Sequence, residues 1–212
     1  MKHFIFDIDG TIWNTTEIVA KGWNKAVKEA GIEKLDGMVI TAADLQKEFG
    51  KPMNVIADDI FGDIGEDNKD RLLKLCCKYE EEALLENTED VSYEGLFDTM
   101  KKLSEDNKLY IVSNCQDGYI EIVMEKNNIS SFISDYECFG RTGLQKDENI
   151  SLVIERNGIP KEDAYYIGDI YGDYVSTKKA GISFIFASYG FGEVYTPDYT
   201  ITKFSDLLDF VQ

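Results

Sequence analysis

Four short apolar runs punctuate the chain, and each ends abruptly in small or polar residues. Phe4-Ile5-Phe6 leads into Asp7-Ile8-Asp9-Gly10-Thr11, and Leu109-Tyr110-Ile111-Val112 into Ser113-Asn114. Ala164-Tyr165-Tyr166-Ile167 leads into Gly168-Asp169, and Ser183-Phe184-Ile185-Phe186-Ala187 is followed by Gly190. Runs this short, rich in β-branched and aromatic residues, predict strands. They do not alternate with polar residues, so both faces are expected to be buried, as in a parallel sheet. Helical spacing lies between them, in Leu96/Met100/Leu103, Ile120/Val123/Met124 and Ile150/Val153/Ile154. Leu207, Leu208 and Val211 close the chain in the same way. Strand alternating with helix predicts an α/β fold with a doubly wound parallel-sheet core.

The alternation breaks between residues 15 and 89. Ile18, Val19, Trp23, Ala26, Val27 and Ala30 predict an amphipathic helix stopping at Gly31. Thr41 and Asp44 open a second helix with a capping-box pattern, ending near Gly50. Met53, Val55, Ile56 and Ile60 suggest a third, although Val55-Ile56 suits a strand equally well. Leu72, Leu73, Leu75 and Cys76 mark a long fourth helix, with Glu80-Glu81-Glu82 on a solvated face. The expected organisation is a core of residues 1–14 and 90–212 and a helical insertion of residues 15–89.

Composition narrows the function. The 212 residues, 43% of them hydrophobic, suffice for a sizeable core. The net charge of −18 argues against nucleic acid and anionic membrane surfaces as partners. The start of the chain, Met1-Lys2-His3-Phe4-Ile5-Phe6-Asp7, has no secretory pattern, and no stretch has the length of a membrane span. Cys76, Cys77, Cys115 and Cys138 have no C-x-x-C spacing and read as reduced thiols. A cytoplasmic protein, monomeric or a small homo-oligomer, is expected. Its single histidine, His3, cannot build a His-rich metal site.

In open α/β sheets, ligands bind beyond the carboxyl ends of the strands. That edge would gather Asp7, Asp9, Ser113, Asn114, Gly168, Asp169 and Asp173. Clustered carboxylates repel unless a cation sits among them, and hard oxygen ligands favour Mg2+. One aspartate suits nucleophilic attack on phosphorus, and a second two residues on suits general acid/base work. Asp7 and Asp9 fit those needs, because alternate residues of an extended segment share a side. The Gly10 and Thr11 amides are placed to cradle phosphate oxygens. A hydroxyl such as Ser113 and a lysine ammonium would balance the charge of the transferring group.

These residues resemble the motifs of the haloacid dehalogenase (HAD) superfamily. Asp7-Ile8-Asp9-Gly10-Thr11 is similar to the first motif, Ser113 after its strand to the second, and Gly168-Asp169 with Asp173 to the fourth. Lys146, in Gly143-Leu144-Gln145-Lys146, fits the third by position better than Lys101, Lys102, Lys108 or Lys161. The insertion resembles the C1 cap of phosphoglycolate phosphatase and β-phosphoglucomutase. Tyr189-Gly190-Phe191-Gly192-Glu193 is similar to the family's Gly-rich loop.

The resemblance implies a HAD Rossmann-like core with these roles. Asp7 is nucleophile and Mg2+ ligand. Asp9 is acid/base, with its main-chain carbonyl on the metal. Asp169 is the third protein ligand, and Asp173 orients a metal water or Lys146. Ser113 and Lys146 hold the phosphoryl group, and Gly10, Thr11 and Asn114 line its site. In the insertion, Lys51 of Phe49-Gly50-Lys51-Pro52 is a candidate substrate contact. Two positions depart from the family pattern: Asn14 stands where aspartate is frequent, and Asp147 follows Lys146 where proline is usual.

Other readings fit less well. An EF-hand counted from Asp7 would need Gly and Glu where Ile12 and Ile18 stand. Gly190-x-Gly192 lacks the third glycine of a dinucleotide fingerprint, Tyr195 being in its place. Dehalogenases and phosphonatases lack the second aspartate of the first motif, so Asp9 points to phosphoryl transfer. The expected activity is Mg2+-dependent hydrolysis of a small phosphorylated metabolite through an aspartyl-phosphate on Asp7. The alternatives are a sugar phosphomutase of the β-phosphoglucomutase type and a non-catalytic binding protein on the same scaffold.

Overall fold

The computed structural model describes residues 1–211. Strand β1 (His3–Phe6) opens the chain, followed by helices α1 (Thr16–Ala30), α2 (Ala42–Glu48), α3 (Met53–Phe61) and α4 (Glu66–Glu86). Then come α5 (Leu96–Ser104), β2 (Lys108–Ser113), α6 (Tyr119–Lys126), β3 (Ile133–Cys138) and the single turn α7 (Phe139–Thr142). The chain continues with α8 (Lys146–Asn157), β4 (Ala164–Gly168), α9 (Tyr171–Ala180), β5 (Ser183–Ala187), β6 (Tyr199–Ile201) and a closing 3-10 helix, Phe204–Val211. It forms two compact units, Met1–Asn14 with everything from Ser92 onward, and Thr15–Val91.

The first unit is built on a six-stranded sheet of order β3-β2-β1-β4-β5-β6, parallel throughout. This is the doubly wound α/β core that the apolar runs predict. Phe4, Ile5 and Phe6 are wholly buried, as are Leu109, Ile111 and Val112. One apolar layer joins Ile5, Tyr166 and Phe184 of the sheet to Ile150, Val153 and Ile154 of α8.

Two strands exceed the sequence expectation of four. β3 and β6 lie at the two edges of the sheet, and their compositions reflect it. β3 reads Ile-Ser-Asp-Tyr-Glu-Cys, and its Asp135 and Glu137 pair with Arg156 of α8. An edge strand needs no continuous apolar run, so the burial criterion misses it. β6 is three residues long, too short to carry a periodic signal. The closing segment is a 3-10 helix, with Phe204 and Leu207 buried at the three-residue spacing of that geometry. The side chain of Val211, part of the predicted pattern there, lies outside the described residues.

The second unit contains helices and turns. Gly31 ends α1 in the left-handed conformation at φ 58°. Thr41 and Asp44 form a reciprocal capping box on α2. Val55-Ile56 resolves as helix, Ile56 buried and Val55 exposed. α1 packs along α4, where the Trp23 indole donates to the Glu80 carboxylate at 2.8 Å, so Glu80 is buried rather than on the solvated face expected for it. The cysteines are free thiols, and no helix among the described residues is long and apolar enough to cross a membrane.

Candidate active site

The sheet order places β1 between β2 and β4, where the winding direction reverses. A crevice forms at such a point, beyond the strand ends. Phe6 is level with Ile111 on one side and Ile167 on the other. The Asp7 amide donates to the Ile167 carbonyl at 2.8 Å, carrying the pairing one residue past β1. The chain then turns sharply. The Thr11 and Ile12 amides return to the Ile8 carbonyl, and Gly10 adopts φ 82°. Ser113 closes β2 and Gly168 closes β4, so the predicted polar strand ends flank Asp7.

Lys146 is the first residue of α8 and is buried. Its ammonium donates to Asp7 Oδ1 at 2.9 Å and to Asp173 Oδ1 at 2.5 Å. Burial alone would lower its pKa, but Asp173 and Asp7 outweigh that and hold it above its ordinary value. The Tyr166 ring lies beside the ammonium, 5.8 Å from ring centre to Nζ. The Tyr166 hydroxyl donates to the Val112 carbonyl at 2.7 Å and lies 3.5 Å from Asp7 Oδ1. Asp7 Oδ2 is buried with no hydrogen-bond partner. Burial pushes the Asp7 carboxyl up to about 7, against the opposing pull of Lys146.

Asp173 sits in the first turn of α9. Its Oδ2 accepts from the Asp169 amide at 3.1 Å and the Ile170 amide at 3.3 Å. One carboxylate thus caps the helix and anchors Lys146, and a helix N-terminus favours the negative charge. Asp169 is buried too, and that burial raises its carboxyl well above the usual range. The Phe191 amide donates to its Oδ2 at 2.7 Å, and Thr11 Oγ1 lies 3.5 Å from its Oδ1.

The Gly-rich loop therefore has a physical task. A Cβ on Gly190 would fall 2.3 Å from Asp169 Cβ, and one on Gly10 would fall 2.0 Å from Asp169 Oδ2. Only glycine lets both loops close on this carboxylate. Oxygens of Asp7, Asp169 and Asp173 lie within 4.8 Å of one another. Asp173 is engaged at both oxygens, whereas Asp7 keeps an unpartnered one, so Asp7 and Asp169 are the buried carboxylates that suit a hard divalent cation.

Asp9 is half-buried. Its Oδ1 accepts from the Trp13 indole at 3.1 Å and from the Tyr119 hydroxyl at 2.8 Å. The sequence motifs assign no functional role to Trp13, Tyr119 or Tyr166. A local signal existed only for Trp13, four residues from Asp9. Tyr119 is separated from Asp9, and Tyr166 from Asp7, by more than a hundred residues. Lys51 lies in the helical unit, where its ammonium is held by Glu48 at 2.5 Å and Asp59 at 2.8 Å.

The family profile described as haloacid dehalogenase-like hydrolase matches residues 4–187. The chain belongs to that family. It is 26% identical over 216 residues to a pyrophosphatase PpaX of Listeria welshimeri, covering 98% of this chain and 95% of that protein. A phosphoglycolate phosphatase of Aquifex aeolicus is 25% identical over 216 residues, with the same coverage. In fold, the chain resembles the crystal structure of a predicted phosphoglycolate phosphatase from Haemophilus somnus. The TM-score is 0.85 at 18% identity, covering 100% of this chain and 98% of that one. The protein is thus an enzyme of the HAD-like hydrolase family, and the motif resemblance in its sequence is real kinship.

Proposed function

We propose that the protein hydrolyses phosphomonoesters of small metabolites through an aspartyl-phosphate on Asp7, with Mg2+ as cofactor. One observation carries this reading. Lys146 bridges Asp7 and Asp173 in a buried setting and leaves Asp7 Oδ2 unpartnered. A carboxylate held at one oxygen and open at the other is an aimed nucleophile.

Asp7 attacks phosphorus while Lys146 and Ser113 balance charge on the phosphoryl oxygens. The Gly10 and Thr11 amides and Asn114 hold the rest of the group. Asp9 protonates the leaving oxygen, then takes a proton from the water that hydrolyses the aspartyl-phosphate. Asp173 keeps Lys146 in place. The carboxylates of Asp7 and Asp169 and the main-chain carbonyl of Asp9 would hold Mg2+. When bound, the ion supplies charge neutralisation for the transferring group. Lys51 would act as a substrate contact from the cap by exchanging Glu48 or Asp59 for a substrate anion.

The test is phosphate release over a metabolite panel, with Mg2+ and with chelator. Pyrophosphate and phosphoglycolate belong in it because relatives carry those names, and glucose 1-phosphate checks for mutase product. Wild-type turnover should need the ion, and Asp7→Asn should lower it by at least about a thousandfold. Turnover that survives Asp7→Asn, or none on any phosphate ester, refutes the reading.

A further inference from the structure

We infer that Cys115 and Cys138 are a redox-active pair whose disulfide withdraws Ser113 from the phosphoryl site. The effect on activity rests on the reading of Ser113 as a phosphoryl-binding residue; the pairing of the thiols does not. β2 and β3 are parallel neighbours, and Ser113 is level with Cys138 at their carboxyl ends. The segments beyond the strands stay in contact. The Gly140 amide donates to the Cys115 carbonyl at 3.0 Å, and a Cβ on Gly140 would fall 2.2 Å from the Asp117 nitrogen. The Cys138 thiol donates to the Gln116 carbonyl at 3.8 Å and is hydrogen-bonded to the Cys115 sulfur. Cys115 is in turn hydrogen-bonded to the Ser113 side chain. Both are free thiols. Cys76 and Cys77 lie in the helical unit, as successive residues of α4 whose side chains do not face each other.

Neighbouring strands run about 4.8 Å apart, and disulfides span Cα separations up to about 6.8 Å. The bond therefore closes with a small shift at the end of β2. The two thiols are unequal. The hydrogen bond from Cys115, with the Arg141 amide and guanidinium, lowers the Cys138 thiol below its ordinary value, whereas burial raises Cys115. The thiolate is the nucleophile, so Cys138 reacts first. Cys115 is half-buried and Cys138 buried, which favours an oxidant little larger than water. The Cys138 thiolate takes one oxygen from hydrogen peroxide, becomes a sulfenic acid and releases hydroxide. Cys115 then attacks that sulfur; the S–O bond breaks, the S–S bond forms, and the oxygen leaves as water with the Cys115 proton. Two electrons pass from the sulfurs to the peroxide, which ends as two waters once the hydroxide takes up the proton that Cys138 gave up. A dithiol reductant returns both electrons and both protons. In the disulfide, the Cys115 sulfur is drawn toward β3 and the Ser113 hydroxyl loses its partner. Cytosolic disulfides of this transient kind are redox-sensing ones.

The experiment treats the full chain with hydrogen peroxide, then maps disulfides by mass spectrometry without reduction. The four free thiols of the reduced protein should fall to two, with one linked peptide joining Cys115 to Cys138. Turnover of p-nitrophenyl phosphate with Mg2+ should drop at least about tenfold on oxidation and return with dithiothreitol. Cys138→Ser should keep its activity under peroxide, and a Cys76→Ser/Cys77→Ser double variant should stay as sensitive as wild type. If Cys138→Ser does not fold, Cys115→Ala takes its place, and the mapping needs no variant. Four thiols surviving oxidation, a bridge through Cys76 or Cys77, or equal inactivation of the folded Cys138 variant overturns the pair. A Cys115–Cys138 bridge that leaves turnover unchanged overturns the withdrawal of Ser113. If the reduced wild type turns over no phosphate ester, the phosphatase reading fails on its own. The mapping and the affinity for inorganic phosphate, which should weaken on oxidation, then decide the inference separately.

Discussion

Lys146 and Lys51 make the same contacts in different surroundings. Each ammonium bridges two carboxylates: 2.9 and 2.5 Å to Asp7 and Asp173, and 2.5 and 2.8 Å to Glu48 and Asp59. The side chain of Lys146 is 2% exposed and that of Lys51 39%. Distance alone therefore says little about what an ion pair does. At Lys51, water screens the charges and would solvate them separately at little cost. At Lys146, no water replaces a lost partner, so each charge depends on the others. The buried triad is a poor source of stability and a good means of holding an aspartate in one orientation.

The sharpest way to break the comparison is to remove each ammonium in turn. Lys146→Met leaves Asp7 and Asp173 buried without their cation. It should cost about 3–5 kcal/mol in denaturant unfolding at pH 8, together with most phosphatase activity. A loss under about 1 kcal/mol would mean that the carboxylates find other solvation, and the contrast with Lys51 would fall.

A smaller effect separates the two regions by pH. The folded-state pKa values of Asp7 and Asp169 are raised by burial, Asp7 to about 7. A carboxyl whose folded pKa is raised binds its proton more tightly folded than unfolded. Its stabilising contribution is full below the unfolded value near 4 and is lost as pH rises through the folded one. Metal-free protein should therefore lose thermal stability between pH 5 and 8. Added Mg2+ should restore it, with the larger gain at pH 8. A flat profile in chelator would sink this expectation. Asp59 and Asp44 in the helical unit are shifted the other way, downward, by side-chain hydrogen bonds to Lys51 and Thr41 respectively.

The smallest effect belongs to Lys51→Met, whose stability should stay within about 1 kcal/mol of wild type. Its kinetics separate the two readings of Lys51: a raised KM at unchanged kcat would make it a substrate contact, and unchanged values would make it a solvated surface pair.

The amino-acid sequence by itself determined the central strands and the identity of the principal acids. Phe4–Phe6, Leu109–Val112 and Ala164–Ile167 are legible because a strand buried on both faces needs continuous apolar residues. Asp7, Asp9, Asp169 and Asp173 are legible because they follow such strands at fixed short spacings. Helix ends at Thr41 and Gly31 carry their own local chemistry. What the tertiary structure decided is of another kind. The edge strands β3 and β6 exist because neighbours supply their hydrogen bonds, not because their residues demand burial. Lys146 reaches Asp7 across 139 positions, and Tyr119 reaches Asp9 across 110. The closing of the Gly-rich loop on Asp169 requires that nothing larger than hydrogen stand at Gly190. Patterns along a chain encode which side chains leave water. Which of them then meet is settled only when the sheet brings distant strand ends to one crevice, where charge, hydrogen bonding and space must be satisfied together.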